Sequence, residues 1–400
     1  MSNRTDPITR AVRAGLESDE TGAVVPPIHL SATFAFRGFD DRRTYDYTRS
    51  GNPTRDLLGR ALAELEGGAG SVVTATGMAA ITLVGYLLPA GARIVAPHDC
   101  YGGTYRLFEA WQRRGELTTE FVNFADEAAV RAALAAPTAL LWIETPSNPL
   151  LRITDIERFA ALGHASGALV VVDNTFLSPL WQRPFEFGAD LVVHSTTKYL
   201  NGHSDVVGGA VIARTQEQCA QLIWWANCLG LTGAPFDSYL TLRGLRTLHA
   251  RLVQHERNAL ALAQWLREQP GVARVYYPGL ASHPGHDIAR RQQRGFGAVV
   301  STELAGGRDA VRALTCGLAC FSLAESLGGV ESLIAHPATM THAAMDPEAR
   351  RRAGLADGLI RLSVGIEALD DLRSDLAAGL ERARRATSAA VPRRPAVAGA

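Results

Sequence analysis

Short apolar runs alternate with longer helical segments through the middle of this 400-residue chain. The strand candidates are rich in β-branched and aliphatic residues, and they span 71–74, 93–96, 139–143, 168–172 and 191–194. The helix candidates between them are rich in Ala, Leu, Glu and Arg, and they span 54–66, 105–114, 127–134 and 156–166. Nearly continuous apolar strands are typical of a parallel sheet that helices cover on both faces. The alternation therefore predicts an α/β domain with a mostly parallel sheet.

The pattern changes at both ends of this region. Residues 1–55 contain scattered Pro and Gly without a sustained period, and we predict an irregular N-terminal arm followed by a large domain over 56–245. Residues 246–385 predict a smaller C-terminal α+β domain. Its expected elements are a long amphipathic helix at 245–268, strands at 272–277, 298–303 and 360–366, and a final helix at 370–385. Residues 386–400, rich in Ala, Pro and Arg, predict a disordered tail.

Composition argues against several classes of function. Forty acidic residues balance forty basic ones, so nucleic acid and anionic membranes are poor candidates for the main partner. The five cysteines are odd in number and form no CxxC pair, which argues against a disulfide framework and a zinc site. Residues 1–15 show no signal-peptide pattern, and the most apolar stretch, 77–92, is too short and broken to span a bilayer. We expect a cytoplasmic protein without a metal.

Lysine occurs only once in the sequence. Of the forty basic residues, thirty-nine are arginines and one is Lys198. Arg replaces Lys in surface ion pairs at little cost, but it is effectively never deprotonated. A lysine amine can act as a nucleophile once burial or a nearby charge lowers its pKa. Biased codon usage could leave one lysine by chance, but the count favours a catalytic amine at position 198.

Residues suited to binding a ligand follow the ends of three predicted strands. Asp173 follows one strand, the segment 195–198 follows the next, and Gly77 and Met78 open a helix after the first. Ligands of open parallel sheets bind beyond the carboxyl ends of the strands, and a helix N-terminus offers free N–H groups to an anion. A carboxylate, an amine and an anion cradle together predict pyridoxal phosphate (PLP). Lys198 would bind it as a Schiff base, and Asp173 would pair with its ring nitrogen.

Two other kinds of site compete with this interpretation. A nucleotide site lacks support, because the chain has no GxxxxGK[ST] sequence and no GxGxxG at its first strand–helix turn. A metal hydrolase lacks support as well, because the eleven histidines include no HExxH pair. His194 and His203 flank the lysine segment, and we expect structural roles for both. Taken singly, Asp173 could be a helix cap and Gly77 a turn glycine.

Six segments together resemble the Cys/Met-metabolism family of PLP-dependent enzymes of fold type I, and within it the cystathionine γ-synthase/γ-lyase group. The segments are 46–54, 97–106, 146–149, 172–175, 194–199 and 324–329. The resemblance covers residues 8 to 385, almost the whole chain. It implies the fold-type-I architecture, PLP as the cofactor, and a homotetramer built from dimers with shared active sites.

The resemblance also implies a role for each matching residue. Lys198 would be the Schiff-base lysine and proton shuttle, Asp173 the ring-nitrogen partner, and Tyr101 the catalytic aromatic that stacks on the ring. The phosphate cradle would consist of Gly77, Met78, Ser195 and Thr197. The N-terminal arm would bring Tyr47 and Arg49 to the phosphate of the neighbouring subunit. The substrate-binding residues would be Arg361, Ser326, Asn148, Glu325, Arg106 and Asp46.

The reaction that the resemblance implies is γ-replacement. L-Cysteine would be joined to O-succinyl-L-homoserine, or another O-acylhomoserine, to form L-cystathionine in methionine biosynthesis. Glu325 argues against the β-lyase branch and Gly103 against methionine γ-lyases, whereas Asp46 and the segment 224–227 resemble bacterial γ-synthases. Ser50 stands where enterobacterial synthases have a second Arg, which leaves the acyl group open. A γ-lyase that eliminates cystathionine and a non-catalytic PLP-binding protein are the alternatives.

Overall fold

The computed structural model describes residues 5–16, 20–341, 343 and 347–389. The strands are β1 Gly70–Thr74, β2 Arg93–Pro97, β3 Thr118–Val122, β4 Leu140–Glu144, β5 Leu169–Asp173, β6 Leu191–His194, β7 Gly209–Ala213, β8 Val272–Tyr276, β9 Val299–Leu304, β10 Ser322–Leu323, β11 Leu333–Ala335 and β12 Leu359–Ser363. The helices are α1 Pro7–Val12, α2 Pro53–Glu66, α3 Gly77–Gly85, α4 Gly102–Arg113, α5 Glu127–Leu134, α6 Ile156–Ala165, α7 Ser178–Trp181, α8 Gln216–Leu229, α9 Pro235–Leu245, α10 Leu248–Leu266, α11 His286–Gln292, α12 Gly307–Thr315, α13 Pro347–Ala353 and α14 Leu369–Ala389, with a 3₁₀ turn at Pro184–Phe187.

The larger sheet has seven strands in the order β1-β7-β6-β5-β4-β2-β3. Strands β3, β2, β4, β5 and β6 are parallel to one another, whereas β7 pairs antiparallel with both β6 and β1. The α/β class with a mostly parallel sheet is therefore confirmed. The sequence analysis missed β3 and β7. Strand β3 lies at the sheet edge and mixes exposed with partly buried residues, and β7 returns from β6 without an intervening helix.

The central strands are buried on both faces. Val170 and Val172 of β5 pack into one apolar cluster, while Val171 packs into a second cluster on the opposite face. Trp142 of β4 is completely buried in that second cluster. Burial on both faces explains why these strands are almost continuous apolar runs rather than alternating ones.

The smaller sheet has five strands in the order β10-β11-β12-β9-β8. All its pairs are antiparallel except that of β10 with β11. Strand β12 lies in the middle, and all five of its residues are buried. The domain boundaries after residues 55, 245 and 385 stay predictions.

Three elements differ in extent from the sequence-based expectation. The arm contains the short helix α1, which begins after the capping residue Asp6. The single helix expected at 245–268 is two helices, because α9 ends at Leu245 and α10 begins at Leu248. Helix α14 continues to Ala389, beyond the expected start of the tail, and the rest of that tail lies outside the described residues. Within the described residues, no helix is both long enough and apolar enough to cross a membrane.

A buried arginine, Arg251, contacts the end of α9, helix α10 and the backbone next to Lys198. The Arg251 guanidinium donates hydrogen bonds to Tyr199 O at 2.8 Å, to Gly244 O at 2.7 Å and to Thr247 Oγ1 at 3.1 Å. No carboxylate of the described residues pairs with Arg251, and burial lowers its pKa to about 10. Arg251 thus connects α10, the end of α9 and the backbone beside Lys198 through neutral acceptors alone.

Arg251→Met is expected to lower the apparent free energy of unfolding by about 3 kcal/mol or more, because each buried acceptor left without a donor costs roughly 1–3 kcal/mol. The measurement is urea unfolding followed by circular dichroism. The matched control is Arg243→Met, because Arg243 is an exposed arginine of α9. Equal losses in the two variants would contradict the structural role of Arg251.

Candidate active site

A cavity of about 430 Å³ lies where the carboxyl ends of the parallel strands face the smaller sheet. Twelve of the residues that the sequence analysis assigned to the site line it: Gly77, Met78, Tyr101, Arg106, Asn148, Asp173, Ser195, Thr197, Lys198, Glu325, Ser326 and Arg361. The first nine come from the larger sheet and its connections, and the last three come from the C-terminal part of the chain. The fold thus brings together residues that are up to 284 positions apart, the difference between 361 and 77.

The N-terminus of α3 forms one wall of the cavity. Thr76 caps the helix by accepting a hydrogen bond from Ala79 N at 2.9 Å. The amides of Gly77 and Met78 have no intrahelical acceptor, because they are the first two residues of the helix. A Cβ on Gly77 would lie only 2.9 Å from Ser195 Cβ and 3.1 Å from Ser195 Oγ. Only glycine lets these amides approach the Ser195 hydroxyl so closely, and together they suit an anion such as a phosphate.

The Lys198 amine points into the cavity. Its Nζ donates a hydrogen bond to Ser326 Oγ at 2.5 Å. Burial is the main cause that lowers the Lys198 pKa to about 8, the nearby Arg361 charge lowers it further, and Glu325 opposes them. A substantial fraction of this amine is therefore neutral near physiological pH, as a nucleophile or a proton acceptor requires.

Arg361 lies at the centre of β12 and is 2% exposed. Its guanidinium donates to Asn148 Oδ1 at 2.9 Å and to Ser326 O at 2.7 Å, while its Nε has no partner among the described residues. Burial lowers its pKa to about 10, so it stays a cation at neutral pH. A buried cation held only by neutral oxygens is suited to binding a carboxylate.

Ser326 contacts both of these cations and has an unusual backbone. Its φ of 88° lies in the left-handed region, which costs a residue with a side chain roughly 1–3 kcal/mol. This conformation lets the Ser326 hydroxyl face Lys198 while its carbonyl faces Arg361. The strain is therefore located where the smaller sheet meets the lysine.

Asp173 ends β5 and faces the cavity. Its Oδ1 accepts hydrogen bonds from Thr175 N at 3.0 Å and Thr175 Oγ1 at 2.5 Å. Burial raises the pKa of the Asp173 carboxyl, and the two bonds from Thr175 counteract that effect. A cationic partner would offset the cost of burial, and the protonated ring nitrogen of PLP is such a partner.

Tyr101 precedes α4 and is 41% exposed at the cavity mouth. Burial raises the pKa of its phenol, with smaller contributions from Glu325, Glu144 and Asp173, while Arg106 lowers it. Tyr101 is therefore a neutral phenol at physiological pH, and it can donate a hydrogen bond or a proton.

The sequence analysis assigned no role to four polar residues of the cavity wall, Thr76, Glu144, Thr175 and Thr341. Glu144 ends β4 directly beside Asp173 in the register of the sheet. The argument that selected Asp173, a polar residue at the end of an apolar strand, applies equally to Glu144 and could have found it.

Three of the assigned residues lie outside this cavity. Asp46 forms an ion pair with Arg42 at 2.8 Å and accepts a hydrogen bond from Ser50 Oγ. Tyr47 is 48% exposed. Arg49 donates to the carbonyl and side-chain oxygens of Asn227 at 2.8 and 2.7 Å, beside a separate cavity of about 880 Å³. The assignment of Tyr47 and Arg49 to the phosphate of a neighbouring subunit, and that of Asp46 to substrate binding, stay predictions.

The residues present fit PLP. The cavity combines a lysine with a lowered pKa, the partly buried carboxylate of Asp173, an aromatic ring and a glycine-lined anion cradle. Among the described residues, no group of three or more His, Cys, Asp or Glu side chains could hold a metal ion. The same cavity contains the buried Arg361, a cation suited to a carboxylate.

Comparisons with known proteins agree with this chemistry. Residues 8–381 match the family described as Cys/Met metabolism PLP-dependent enzyme. The chain is 56% identical over 379 residues to the cystathionine gamma-synthase of Escherichia coli strain K12, covering 94% of this chain and 98% of that protein. It is 48% identical to the cystathionine beta-lyase of Coxiella burnetii, covering 93% of this chain and 97% of that protein.

Solved structures of cystathionine gamma-synthase from Xanthomonas oryzae pv. oryzae are 61% identical to this chain, with a TM-score of 0.94. The match covers 96% of this chain and 99% of theirs. One was determined in complex with aminoacrylate and cysteine, and another in complex with cystathionine.

We predict that Lys198 of the cofactor-free protein titrates near pH 8 instead of at its ordinary value of 10.5. The measurement is the rate of reductive methylation of Lys198 against pH by peptide mass spectrometry, because only the neutral amine reacts. Arg361→Met should raise the midpoint, since that cation lowers the lysine pKa, and Glu325→Gln should lower it. A midpoint at pH 10.5 for the methylation of Lys198 in the wild-type protein would contradict the burial of this amine.

Proposed function

The chain belongs to the Cys/Met metabolism PLP-dependent enzyme family, and we propose that it catalyses γ-replacement. It joins L-cysteine to O-succinyl-L-homoserine, or another O-acylhomoserine, and forms L-cystathionine and the free acid in methionine biosynthesis. The observation that carries the proposal is that the only lysine of the chain lies in one cavity with a buried, carboxylate-binding Arg361. Relatives with 56% and 61% identity over nearly the full chain are called cystathionine gamma-synthases, which supports the same reaction.

PLP supplies an electron sink that stabilises negative charge developing on the substrate carbons. The chain's own residues provide the rest. Gly77, Met78, Ser195 and Thr197 hold the phosphate, and Asp173 holds the proton on the ring nitrogen. Thr175 orients Asp173 through its two hydrogen bonds.

Lys198 moves the protons of the reaction. Its pKa of about 8 lets the amine accept the substrate Cα proton near neutral pH and return a proton as an ammonium. The short contact to Ser326 Oγ fixes where the amine lies between these transfers. Tyr101, a neutral phenol, acts as an acid/base at the substrate amine: its oxygen accepts a hydrogen bond from the ammonium, and its O–H donates to the amine once that has lost a proton.

The remaining polar residues bind and orient the substrates. Arg361 and Asn148 hold the α-carboxylate of the homoserine ester. Glu325 faces the cavity as the partner for the ammonium of the incoming cysteine. Arg106 lines the same cavity and lowers the pKa of Tyr101, and it is the partner for a distal carboxylate. The succinate leaves from Cγ, and the cysteine sulfur forms its bond to the same carbon.

We place the reaction in a reducing cytoplasm and in a homotetramer built from dimers. All five cysteines are free, which suits a reducing compartment. The arm exposes apolar side chains that a partner subunit would cover, among them Val24, Leu30, Phe36 and Phe39. Arg49 and Tyr47 of this arm then reach the phosphate of the neighbouring chain.

The proposed reaction is tested by giving the purified protein O-succinyl-L-homoserine plus cysteine and, separately, cystathionine alone. We expect cystathionine as the main product of the first mixture, identified by mass. Faster release of 2-oxobutanoate and ammonia from cystathionine would assign a γ-lyase, and pyruvate would assign a β-lyase.

Lys198→Ala and Lys198→Arg should both lose turnover by at least about 100-fold, because neither side chain can exchange a proton at neutral pH. Activity of Lys198→Arg near the wild-type rate would contradict the role of the amine.

Sharing of the site between chains is tested by mixing two inactive variants, Arg49→Ala and Lys198→Ala. Random exchange in a two-fold dimer makes half of the dimers hybrids, each with one native site, so about a quarter of the wild-type rate should return. The control mixture combines Lys198→Ala with Arg361→Met. Both of those residues line one chain's cavity, so no activity should return. If mass-tagged subunits exchange and neither mixture regains activity, the shared site is wrong.

A further inference from the structure

Glu144 is a buried carboxylate of the cavity wall for which the proposed reaction has no direct use. It ends β4, is 5% exposed, and pairs in the sheet register with Asp173 of β5. Both side chains therefore point to the same face at the carboxyl end of the sheet. Burying a second carboxylate beside Asp173 is costly unless strong hydrogen bonds compensate for it.

The two carboxylate oxygens bind two different loops. Oε2 accepts a hydrogen bond from Tyr101 N at 2.7 Å, and Oε1 accepts one from Asn148 N at 3.3 Å. Tyr101 is the residue directly before α4, and its side chain makes no capping hydrogen bond to that helix. Asn148 lies in the loop after β4, and its side chain accepts the bond from Arg361.

Only a carboxylate can make both contacts. Each backbone N–H needs an acceptor, and Glu offers two acceptor oxygens, whereas Gln offers one oxygen and an NH₂ group that donates. Hydrogen bonds to an ionised acceptor are also roughly twice as strong as neutral ones. Burial and Asp173 raise the pKa of Glu144, and the two N–H donors oppose that shift by stabilising the anion.

We propose that Glu144 is a positioning residue that fixes Tyr101 and Asn148 relative to each other. Through Tyr101 it sets the aromatic ring that would contact the cofactor, and through Asn148 it sets the guanidinium of Arg361 that would bind the substrate carboxylate. A single side chain thereby holds the Tyr101 ring and the carboxylate site in one geometry. The inference rests on the proposed γ-replacement, because it assigns these two sites to one reaction.

The variants are Glu144→Gln, which loses one acceptor, and Glu144→Asp, which keeps the charge on a shorter side chain. The matched control is Asp375→Asn, because both oxygens of Asp375 also accept backbone N–H bonds, from Ala319, Cys320 and Phe321, outside the cavity. All are measured as holoenzymes. The readouts are kcat and KM for both substrates and the visible circular dichroism of the bound cofactor.

Glu144→Gln is expected to lower kcat/KM for O-succinyl-L-homoserine by roughly 10- to 100-fold, with a raised KM, because one charge-assisted bond is lost. Glu144→Gln should also change the circular dichroism of the bound cofactor. Asp375→Asn should leave both kcat/KM and the circular dichroism unchanged. In an Asn148→Ala background the KM effect of Glu144→Gln should disappear, since the side chain that Glu144 positions is gone. If Glu144→Gln does not fold, Glu144→Asp should show a smaller change in the same two readouts.

Unchanged KM and circular dichroism in the folded Glu144 variants would overturn the inference. An equal effect of Glu144→Gln on KM in the wild-type and in the Asn148→Ala background would overturn it as well. Failure of the proposed reaction would look different. A wild-type protein that forms no cystathionine refutes γ-replacement, while the circular dichroism comparison between Glu144→Gln and Asp375→Asn still tests the positioning of Tyr101.

Discussion

The substrate-facing chemistry of this structure depends on the buried Arg361 cation, which lines the same cavity as the Lys198 amine. Arg361 is held only by the neutral oxygens of Asn148 and Ser326, so its charge acts on whatever enters the cavity. It attracts a carboxylate, and it helps to lower the pKa of the Lys198 amine to about 8. The same guanidinium therefore prepares the substrate site and the catalytic amine, although burying it is costly.

The larger sheet supplies the opposite charge. Asp173 and Glu144 end neighbouring parallel strands in the same register, and burial raises the pKa of both carboxyls. Thr175 stabilises the first carboxylate, and two backbone amides stabilise the second. A cavity with carboxylates from one sheet and a guanidinium from the other suits a cofactor with a cationic ring nitrogen and an amino-acid substrate with a carboxylate.

Close backbone contacts hold the lysine segment between the two sheets. A Cβ on Gly328 would lie 2.7 Å from Tyr199 N, and Gly328 itself has a φ of 82°. Arg251 binds the carbonyl of Tyr199 from the other side. Because such contacts leave no room for larger residues, the position of Lys198 depends on residues far from it in the chain.

The sequence by itself determined the local elements and the chemistry that follows them. The apolar strand runs predicted the parallel sheet, because strands buried on both faces must be apolar. The single lysine, together with Asp173 and Gly77, predicted the cofactor site, because the carboxyl ends of parallel strands meet at one edge of the sheet. The antiparallel β7, the break between α9 and α10, and the role of Glu144 were not predictable in this way. They depend on which backbone groups meet in three dimensions, such as the amides of Tyr101 and Asn148 at Glu144. Only the tertiary structure decided these contacts and the burial that shifts the pKa of Lys198, because desolvation and close approach belong to the assembled fold rather than to any segment.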